Sequence, residues 1–299
     1  MKATLLALGV ALGVAVALLL WVFTLGIGYQ AASAAAPDGV AVVLICDSNP
    51  KYFERCLRTV RGVRGAGRYL GDVCLVTDQQ SRSKYQAALN HDPRLEVVAF
   101  DKIDVPSLQT LTAAHPEKAS GCALKFNLFR PFFRKWRYVL YIDCGVRVRG
   151  PLGPIFATRA PGRLLAHSDA YPEYTRTLRH QFDDGKAARA GRSAADTMNV
   201  RATFEKLESR FNLDVDYFQS TLMLYDTVLA SAESFDAILR LYNNYPIGKL
   251  NDQCFLSLYF GNIARRWTQI PLRGPSGQAL YDYHRRLRHG FRPPVLTKI

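Results

Sequence analysis

The sequence predicts an α/β domain with a mixed, mainly parallel sheet flanked by helices, preceded by one N-terminal transmembrane helix. From residue 40 onward, short apolar runs alternate with helical stretches, which is typical of strand–helix units in a parallel sheet. Before that point, residues 3–28 are almost wholly apolar and carry no charge. The rest of the 299-residue chain has about the size of one large domain.

The N-terminal apolar segment is long enough to span a bilayer, which takes about 20 helical residues. A cleavable signal peptide has a shorter apolar stretch of about 7–15 residues. We therefore expect a membrane anchor or uncleaved signal at residues 1–29 and a short stem at residues 30–39. Secretion after cleavage in the Ala-rich stem is the alternative. Because Lys2 precedes the span and Asp38 is the first charge after it, we expect a type II protein, with residues 40–299 beyond the membrane.

The elements of the domain are predicted from apolar runs and helical periodicity. Strands are expected at residues 40–46, 72–77, 95–100, 138–142 and 221–225, where short runs are rich in Val, Leu and Ile. Helices are expected at residues 52–64, 83–89, 121–135, 228–242 and 251–260. Residues 169–214 are rich in charges and small residues without strand periodicity, which indicates a mobile or helical insertion over the site.

The chain is basic, with 39 Lys and Arg against 25 Asp and Glu and a formal charge of +14. This favours anionic partners such as a nucleoside diphosphate, an acidic glycan or a phospholipid surface. We expect no nucleic-acid partner, because the chain lacks a clustered basic and aromatic element of the kind that binds nucleic acid.

The six cysteines form no CxxC pair, and a domain of this size needs no cross-links. They therefore predict neither a disulfide framework nor a zinc site. Those in or beside apolar runs are expected to be core residues: Cys46, Cys74 and Cys144. One disulfide stays open among the others: Cys56, Cys122 and Cys254.

The segment over residues 137–148 is the most informative, because an apolar strand ends there at Asp143 and a tight turn follows. Open α/β sheets bind ligands at the carboxyl ends of their strands. A carboxylate at this position can bind a divalent cation or a ribose hydroxyl. Simple capping of the turn is the alternative role for Asp143.

These motifs resemble glycosyltransferases of the GT-A fold, most closely the family 8 group that includes glycogenin and bacterial lipopolysaccharide galactosyltransferases. In that group a helix with a lysine precedes a strand ending in Asp-x-Asp, which matches Lys125 followed by Asp143. Residues 216–225 resemble a later family strand, and residues 250–257 resemble its Asp-Gln helix. The order and spacing agree over roughly residues 40–295.

The resemblance implies a GT-A, Rossmann-like catalytic domain that moves a sugar from a nucleotide-sugar donor to a glycan, protein or lipid acceptor. It implies a hexosyltransferase that retains the anomeric configuration, in the Golgi or on the lumenal side of the endoplasmic reticulum. A catalytically silent nucleotide-sugar-binding or scaffold protein of the same fold is the alternative.

The resemblance also implies roles for single residues. Lys125 would contact the diphosphate or ribose, while Asp143 would hold a divalent cation, Mn or Mg, which prefer oxygen ligands. Two residues that replace the family's Asn and Ala would face the donor sugar: Gln219 and Ser220. The catalytic pair, Asp252 and Gln253, would lie at the anomeric carbon. Capping of the helix is the simpler role for this position.

Gly145 stands where the family has its second metal-binding aspartate. Either one carboxylate plus a histidine holds the ion, or basic residues act alone, so metal dependence stays open. The family's histidine precedes a Gly-x-x-Lys-Pro stretch, and the nearest match here is His289, with Arg292 in place of the Lys. His284 is the alternative histidine.

Overall fold

The strand–helix alternation that begins at residue 40 builds two β-sheets. The computed structural model describes residues 39–47, 50–101, 103, 124–185, 193–249, 252–282 and 295–298. The strands in these ranges are β1 Val40–Ile45, β2 Asp72–Thr77, β3 Leu95–Ala99, β4 Tyr138–Ile142, β5 Val146–Val148, β6 Leu164–Ser168, β7 Phe218–Asp226, β8 Trp267–Gln269, β9 Tyr281–Asp282 and β10 Leu296–Lys298. All five predicted strands are confirmed, two of them with the predicted bounds and three with ends that differ by one to three residues.

The larger sheet has seven strands in the order β3-β2-β1-β4-β7-β6-β8. The first four of these pair in parallel, whereas β7 is antiparallel to both β4 and β6. Strands β4 and β6 therefore point the same way. Their carboxyl ends share one edge of the sheet with the beginning of β7, and this edge positions the site.

The helices in the described ranges are α1 Pro50–Arg64, α2 Arg82–Leu89, α3 Gly153–Phe156, α4 Ala194–Glu208, α5 Ala232–Asn244 and α6 Gln253–Ser257. Two of them begin at serines whose side chains accept a backbone N–H of the first turn, namely Ser193 before α4 and Ser231 before α5. Helix α6 continues as a π-helix over Leu258–Ile263. The mixed α/β architecture is thus confirmed.

The core lies on both faces of the central strands. Every residue of β1 and β4 is buried, as expected for parallel strands that are covered by helices on both sides. Aromatic residues fill much of the space between sheet and helices; for example, the ring centroids of Phe126 and Tyr242 lie 5.2 Å apart.

The single helix predicted at residues 121–135 is instead two 3₁₀ turns, Lys125–Phe129 and Pro131–Lys135. Residues 121–123 lie outside the described part of the chain. The break falls at Arg130, whose φ of −73° and ψ of 151° are extended. Proline disfavours a helical conformation in the residue before it, so Pro131 accounts for the break.

After Asp143 the chain leaves the main sheet and forms β5, which pairs with β10 in a three-stranded sheet. Two further predictions differ from the structure. The helix predicted from residue 228 begins only at Ala232, after a 3₁₀ turn at Thr227–Leu229. The helix predicted at residues 251–260 divides into α6 and the π-helix.

The predicted localisation as a single-pass type II membrane protein is wrong. Within the described ranges, no helix is long and apolar enough to cross a membrane. The longest there, α1 and α4, have 15 residues each, or about 22 Å, against about 30 Å of bilayer hydrocarbon. The predicted anchor at residues 1–29 and the stem through residue 38 lie outside the described residues.

Candidate active site

Acidic residues gather at the edge of the sheet where the parallel strands end. Asp47 follows β1, Asp78 follows β2 and Asp143 follows β4. Asp47 and Asp78 are buried, at 4% and 2% exposed. Asp143 sits beside the beginning of β7, because its N–H donates to the carbonyl oxygen of Thr221 at 2.9 Å. Open α/β sheets bind ligands at this edge, and it is therefore the candidate site.

Lys125 is at the centre of the site. Its Nζ lies 2.8 Å from Asp252 Oδ2 and 3.4 Å from Asp143 Oδ1, and it donates to Ser220 Oγ at 3.1 Å. The side chains of Asp252, Lys125 and Asp143 are 6%, 11% and 23% exposed, respectively. Asp143 is therefore the member of this group that a ligand in solvent meets first.

The 3₁₀ turn fixes Lys125 in this position. Its neighbours Leu124 and Phe126 are buried, at 2% and 0% exposed, and the ring of Phe126 packs against that of Phe255 next to the site. Lys125 itself is buried and does not face bulk solvent. A buried ammonium is retained only where carboxylates or other acceptors compensate for its lost hydration.

Tyr141 orients the Asp143 carboxylate. The two residues are two positions apart at the end of a strand, where such residues face the same side, and the Tyr141 hydroxyl donates to Asp143 Oδ1. Lys125 Nζ also lies 5.5 Å from the Tyr141 ring centroid. Burial raises the pKa of the Tyr141 hydroxyl well above its usual value, and the Asp143 charge raises it further. The hydroxyl therefore stays protonated as a donor.

Asp252 is the N-cap residue that directly precedes α6, but its side chain makes no capping hydrogen bond to the helix. Instead, its Oδ2 accepts from Ser220 Oγ at 2.7 Å and pairs with Lys125. The Asp252 side chain therefore does not cap α6, which was the simpler role that the sequence left open.

Gln253 is held by three hydrogen bonds. Its Oε1 accepts from the Ser220 N–H at 3.1 Å, while its Nε2 donates to Asp169 Oδ2 at 3.2 Å and to Gln181 Oε1 at 3.3 Å. Because a backbone N–H can only donate and a carboxylate can only accept, these partners fix which way the amide faces. The side chain is 6% exposed, so its amide group is rigidly placed beside Ser220.

The second sheet closes this edge through Tyr281 on β9. The Tyr281 hydroxyl donates to Gln219 Oε1 at 3.3 Å and lies 2.9 Å from Thr221 Oγ1. Gln219 is thus tied to the neighbouring sheet and does not join the Lys125 contacts directly.

Five of the residues predicted from the sequence meet in one hydrogen-bonded network: Lys125, Asp143, Ser220, Asp252 and Gln253. Gln219 lies next to this network, and Gly145 lies in the turn closed by a hydrogen bond from the Val146 N–H to the Asp143 carbonyl oxygen at 2.9 Å. Arg292, His289 and the alternative His284 fall outside the described residues.

Four contributors were not predicted: Tyr141, Asp169, Gln181 and Tyr281. Tyr141 carried a signal, since the strand period of two places it on the same side as Asp143. The others reach the site from distant segments, and Asp169 and Gln181 come from the stretch without strand periodicity.

The described residues do not by themselves fit the predicted divalent cation. Mg²⁺ is usually surrounded by about six oxygen ligands, several of them water or substrate phosphate. Here Asp143 offers a carboxylate whose Oδ1 already binds Tyr141 and Lys125, and Gly145 has no ligand to offer. Among the described residues, the one group of three or more His, Cys, Asp or Glu close enough to hold an ion consists of cysteines. The Mn or Mg prediction thus depends on His289 and stays a prediction.

Solved structures with a similar fold are glycosyltransferases. The galactosyltransferase LgtC, in complex with donor and acceptor sugar analogs, is 13% identical with a TM-score of 0.53, over 86% of each chain. An active-site glutamine-to-glutamate variant of LgtC gives a TM-score of 0.55 at the same identity and coverage. The bifunctional glycosyltransferase WbbM gives 0.52 at 14% identity, over 88% of this chain and 46% of that one.

No protein-family model matches the chain, and no curated protein matches its sequence significantly. At these identities the structural likeness shows the fold alone. The GT-A fold, predicted from four short motifs, is confirmed at that level.

Proposed function

We propose that this chain is a glycosyltransferase that moves a sugar from a nucleotide-sugar donor to a glycan, protein or lipid acceptor. The observation that carries the proposal is the ammonium of Lys125, held between Asp143 and Asp252 at the carboxyl edge of a GT-A sheet. The solved LgtC complex, with donor and acceptor sugar analogs, supports it by similarity of fold.

The donor diphosphate would meet the positive charge of Lys125. When the glycosidic bond to the diphosphate breaks, negative charge develops on the leaving oxygen, and a fixed cation lowers the energy of that state. Lys125 is suited to this because its packed turn and two carboxylates hold it in place before the donor arrives. The more exposed Asp143 would accept a hydrogen bond from a hydroxyl group of the nucleotide-sugar, such as a ribose hydroxyl.

The donor sugar would lie against the rigid side of the network. The Ser220 N–H donates to the side-chain amide oxygen of Gln253, and this hydrogen bond holds both groups in fixed orientations. We assign Gln219 and Ser220 to sugar hydroxyls, and Asp252 and Gln253 to the reacting carbon. A carboxylate such as Asp252 stabilises the positive charge of an oxocarbenium-like centre. Retention of configuration and transfer of a hexose belong to this proposal and are supported by the resemblance of these motifs to retaining enzymes.

A divalent cation would supply further positive charge at the diphosphate if His289 and Arg292 complete a site with Asp143. Because the described residues do not form that site, the proposed steps take their positive charge from Lys125. The binding of hydroxyls by Asp143 and the charge stabilisation by Lys125 need no metal.

A catalytically silent nucleotide-sugar-binding protein is the second candidate. It is favoured by Gly145, which stands where the resembled family has its second metal-binding aspartate. The test is a donor-hydrolysis screen with the full-length chain, in which release of nucleoside diphosphate is measured over a panel of nucleotide-sugars with EDTA, Mg²⁺ or Mn²⁺. Release from at least one donor supports the enzyme. Saturable binding of a nucleoside diphosphate without any release supports the silent protein, and the absence of both contradicts the two candidates together.

A further inference from the structure

Three cysteine thiols meet directly behind the candidate site. Cys46 follows β1, Cys56 lies on α1 and Cys144 follows Asp143. Their sulfur atoms all lie within 4.8 Å of one another, and the residues are 2%, 0% and 7% exposed. The prediction that Cys46 and Cys144 are core residues is confirmed, whereas their meeting with Cys56 was not predicted, because the three come together only in the folded chain.

The fold explains why these thiols meet. The parallel pairing of β1 with β4 places Val43 beside Tyr141, and the same register continued three residues further sets Cys46 beside Cys144. Helix α1 packs over this point, since Thr59 Oγ1 lies 3.2 Å from the Cys144 carbonyl oxygen. Residues three apart on a helix share a face, so Cys56 points to the same place as Thr59.

The spacing of the sulfurs fits an ion better than a disulfide. No disulfide joins these cysteines, and an S–S bond would require two sulfurs to approach to about 2.05 Å. A metal–thiolate bond is about 2.3 Å long, so three sulfurs around one ion lie about 4.0 Å apart. Because the sulfur atoms already lie within 4.8 Å of one another, small side-chain rotations are enough to bring them to this separation.

We propose that Cys46, Cys56 and Cys144 form a binding site for a soft, thiophilic cation of the Zn²⁺ or Cu⁺ class. Thiolates select such ions over the hard Mg²⁺ and Ca²⁺. Each thiol gives up its proton as its sulfur bonds to the metal, so binding releases protons to solvent and involves no oxidation or reduction. Two thiol hydrogen bonds are lost in the process, from Cys144 Sγ to the Ile45 carbonyl oxygen at 3.1 Å and from Cys46 Sγ to that of Tyr52 at 3.9 Å.

This site is separate from the proposed glycosyl transfer and does not depend on it. It is adjacent to the candidate active site, because Cys144 directly follows Asp143 and Cys46 directly precedes Asp47. A bound ion would link the turn after β4 to the end of β1 and to helix α1.

The test is a titration of the reduced, full-length chain with Cd²⁺, which reports thiolate binding by its ultraviolet charge-transfer absorption. We expect one Cd²⁺ per chain, with release of protons. Cys46→Ala, Cys56→Ala and Cys144→Ala should each weaken binding at least about tenfold, through loss of one of the three ligands. Cys74→Ala is the matched control, because Cys74 is also fully buried but lies outside the group, and it should bind as the unaltered chain does.

A second measurement needs no variant and so is independent of how well the variants fold. X-ray absorption at the Cd edge should show three sulfur neighbours for the bound ion. Oxygen and nitrogen neighbours alone would overturn the proposal, as would equal Cd²⁺ affinity in the three variants and the control. A chain that takes up no Cd²⁺ after complete reduction would overturn it as well.

Discussion

Lys125 and Asp252 form an ion pair of 2.8 Å between side chains that are only 11% and 6% exposed. Burying two charges costs several kcal/mol per ion, and a buried pair contributes little to net stability. The same ammonium also lies 3.4 Å from Asp143, a residue that faces solvent more openly. A charged group placed at such a cost at the ligand-binding edge of a sheet is a candidate for a functional role.

Lys125→Met should abolish most donor hydrolysis. The variant keeps a similar side-chain volume but removes the charge that faces the leaving diphosphate, so we expect kcat/KM to fall by about 100-fold or more. Breaking the buried pair should also lower the free energy of unfolding by about 3–5 kcal/mol, measured by urea denaturation. Lys135→Met is the matched control, since Lys135 pairs with Glu96 at the surface and should contribute less than about 1 kcal/mol. Equal turnover in the two variants would remove Lys125 from the site.

Gln253→Glu should impair both stability and turnover. The change replaces an amide donor by a carboxylate oxygen that faces Asp169 Oδ2, so a hydrogen bond of 3.2 Å becomes a repulsion between like charges. We expect a loss of about 1–3 kcal/mol in the free energy of unfolding, because a buried acceptor loses its donor. Gln80→Glu, at an exposed position, introduces the same charge and should be close to neutral. A stable and fully active Gln253→Glu chain would contradict the assigned hydrogen bonds.

Tyr141→Phe should show its effect on both activity and alkaline stability. At neutral pH the variant loses the donor to Asp143, and we expect donor hydrolysis to fall by about tenfold as one hydrogen bond is removed. Because the pKa of Tyr141 is raised in the folded chain, the protonated hydroxyl stabilises the fold below about pH 10, the usual tyrosine value. That stability is lost as the pH rises further, since the unfolded chain then releases the proton.

Urea midpoints measured between neutral and strongly alkaline pH check this. The decline above about pH 10 should be shallower in Tyr141→Phe than in the unaltered chain. Tyr174→Phe serves as control, because Tyr174 is 49% exposed and its removal should leave the decline unchanged. Parallel declines in all three chains would contradict a role for the buried hydroxyl.

Chelation with EDTA tests whether donor hydrolysis requires a divalent cation. Because the described residues hold the Lys125 ammonium between the carboxylates of Asp143 and Asp252, we expect donor hydrolysis to persist in EDTA within a few-fold of its rate in Mn²⁺. Gly145→Asp adds a carboxylate two residues after Asp143 and should make hydrolysis respond to Mn²⁺, which prefers oxygen ligands. Complete loss of turnover in EDTA, restored by Mn²⁺ in the unaltered chain, would contradict this and would instead favour His289 as a metal ligand.

The parts of this fold that depend on short stretches of sequence could be predicted from the sequence alone. Strands such as Tyr138–Ile142 are continuous apolar runs, and a buried central strand has no other pattern. The break at Pro131 also had a local signal, which the helical periodicity of the flanking residues outweighed. Asp143 could be placed at the ligand-binding edge because the end of a strand can be read directly from the sequence, whereas Lys125 was assigned to the site by the family resemblance.

The remaining features depend on contacts between distant segments. Tyr281 reaches Gln219 from a second sheet whose strands are only two or three residues long, too short to give a period. Cys46, Cys56 and Cys144 come together through strand register and helix packing, neither of which leaves a spacing such as CxxC. These relationships become visible only once the chain is folded.

The proposed function requires Asp143 to act at a nucleotide-sugar, and one comparison of variants tests this directly. Release of nucleoside diphosphate from the preferred donor should be measured for the unaltered chain, for Asp143→Asn and for Asp236→Asn, an exposed aspartate on α5. We predict that Asp143→Asn folds normally but loses about 100-fold or more in kcat/KM, while Asp236→Asn keeps full activity. A folded Asp143→Asn chain that releases the diphosphate as fast as the unaltered one would contradict the proposed function.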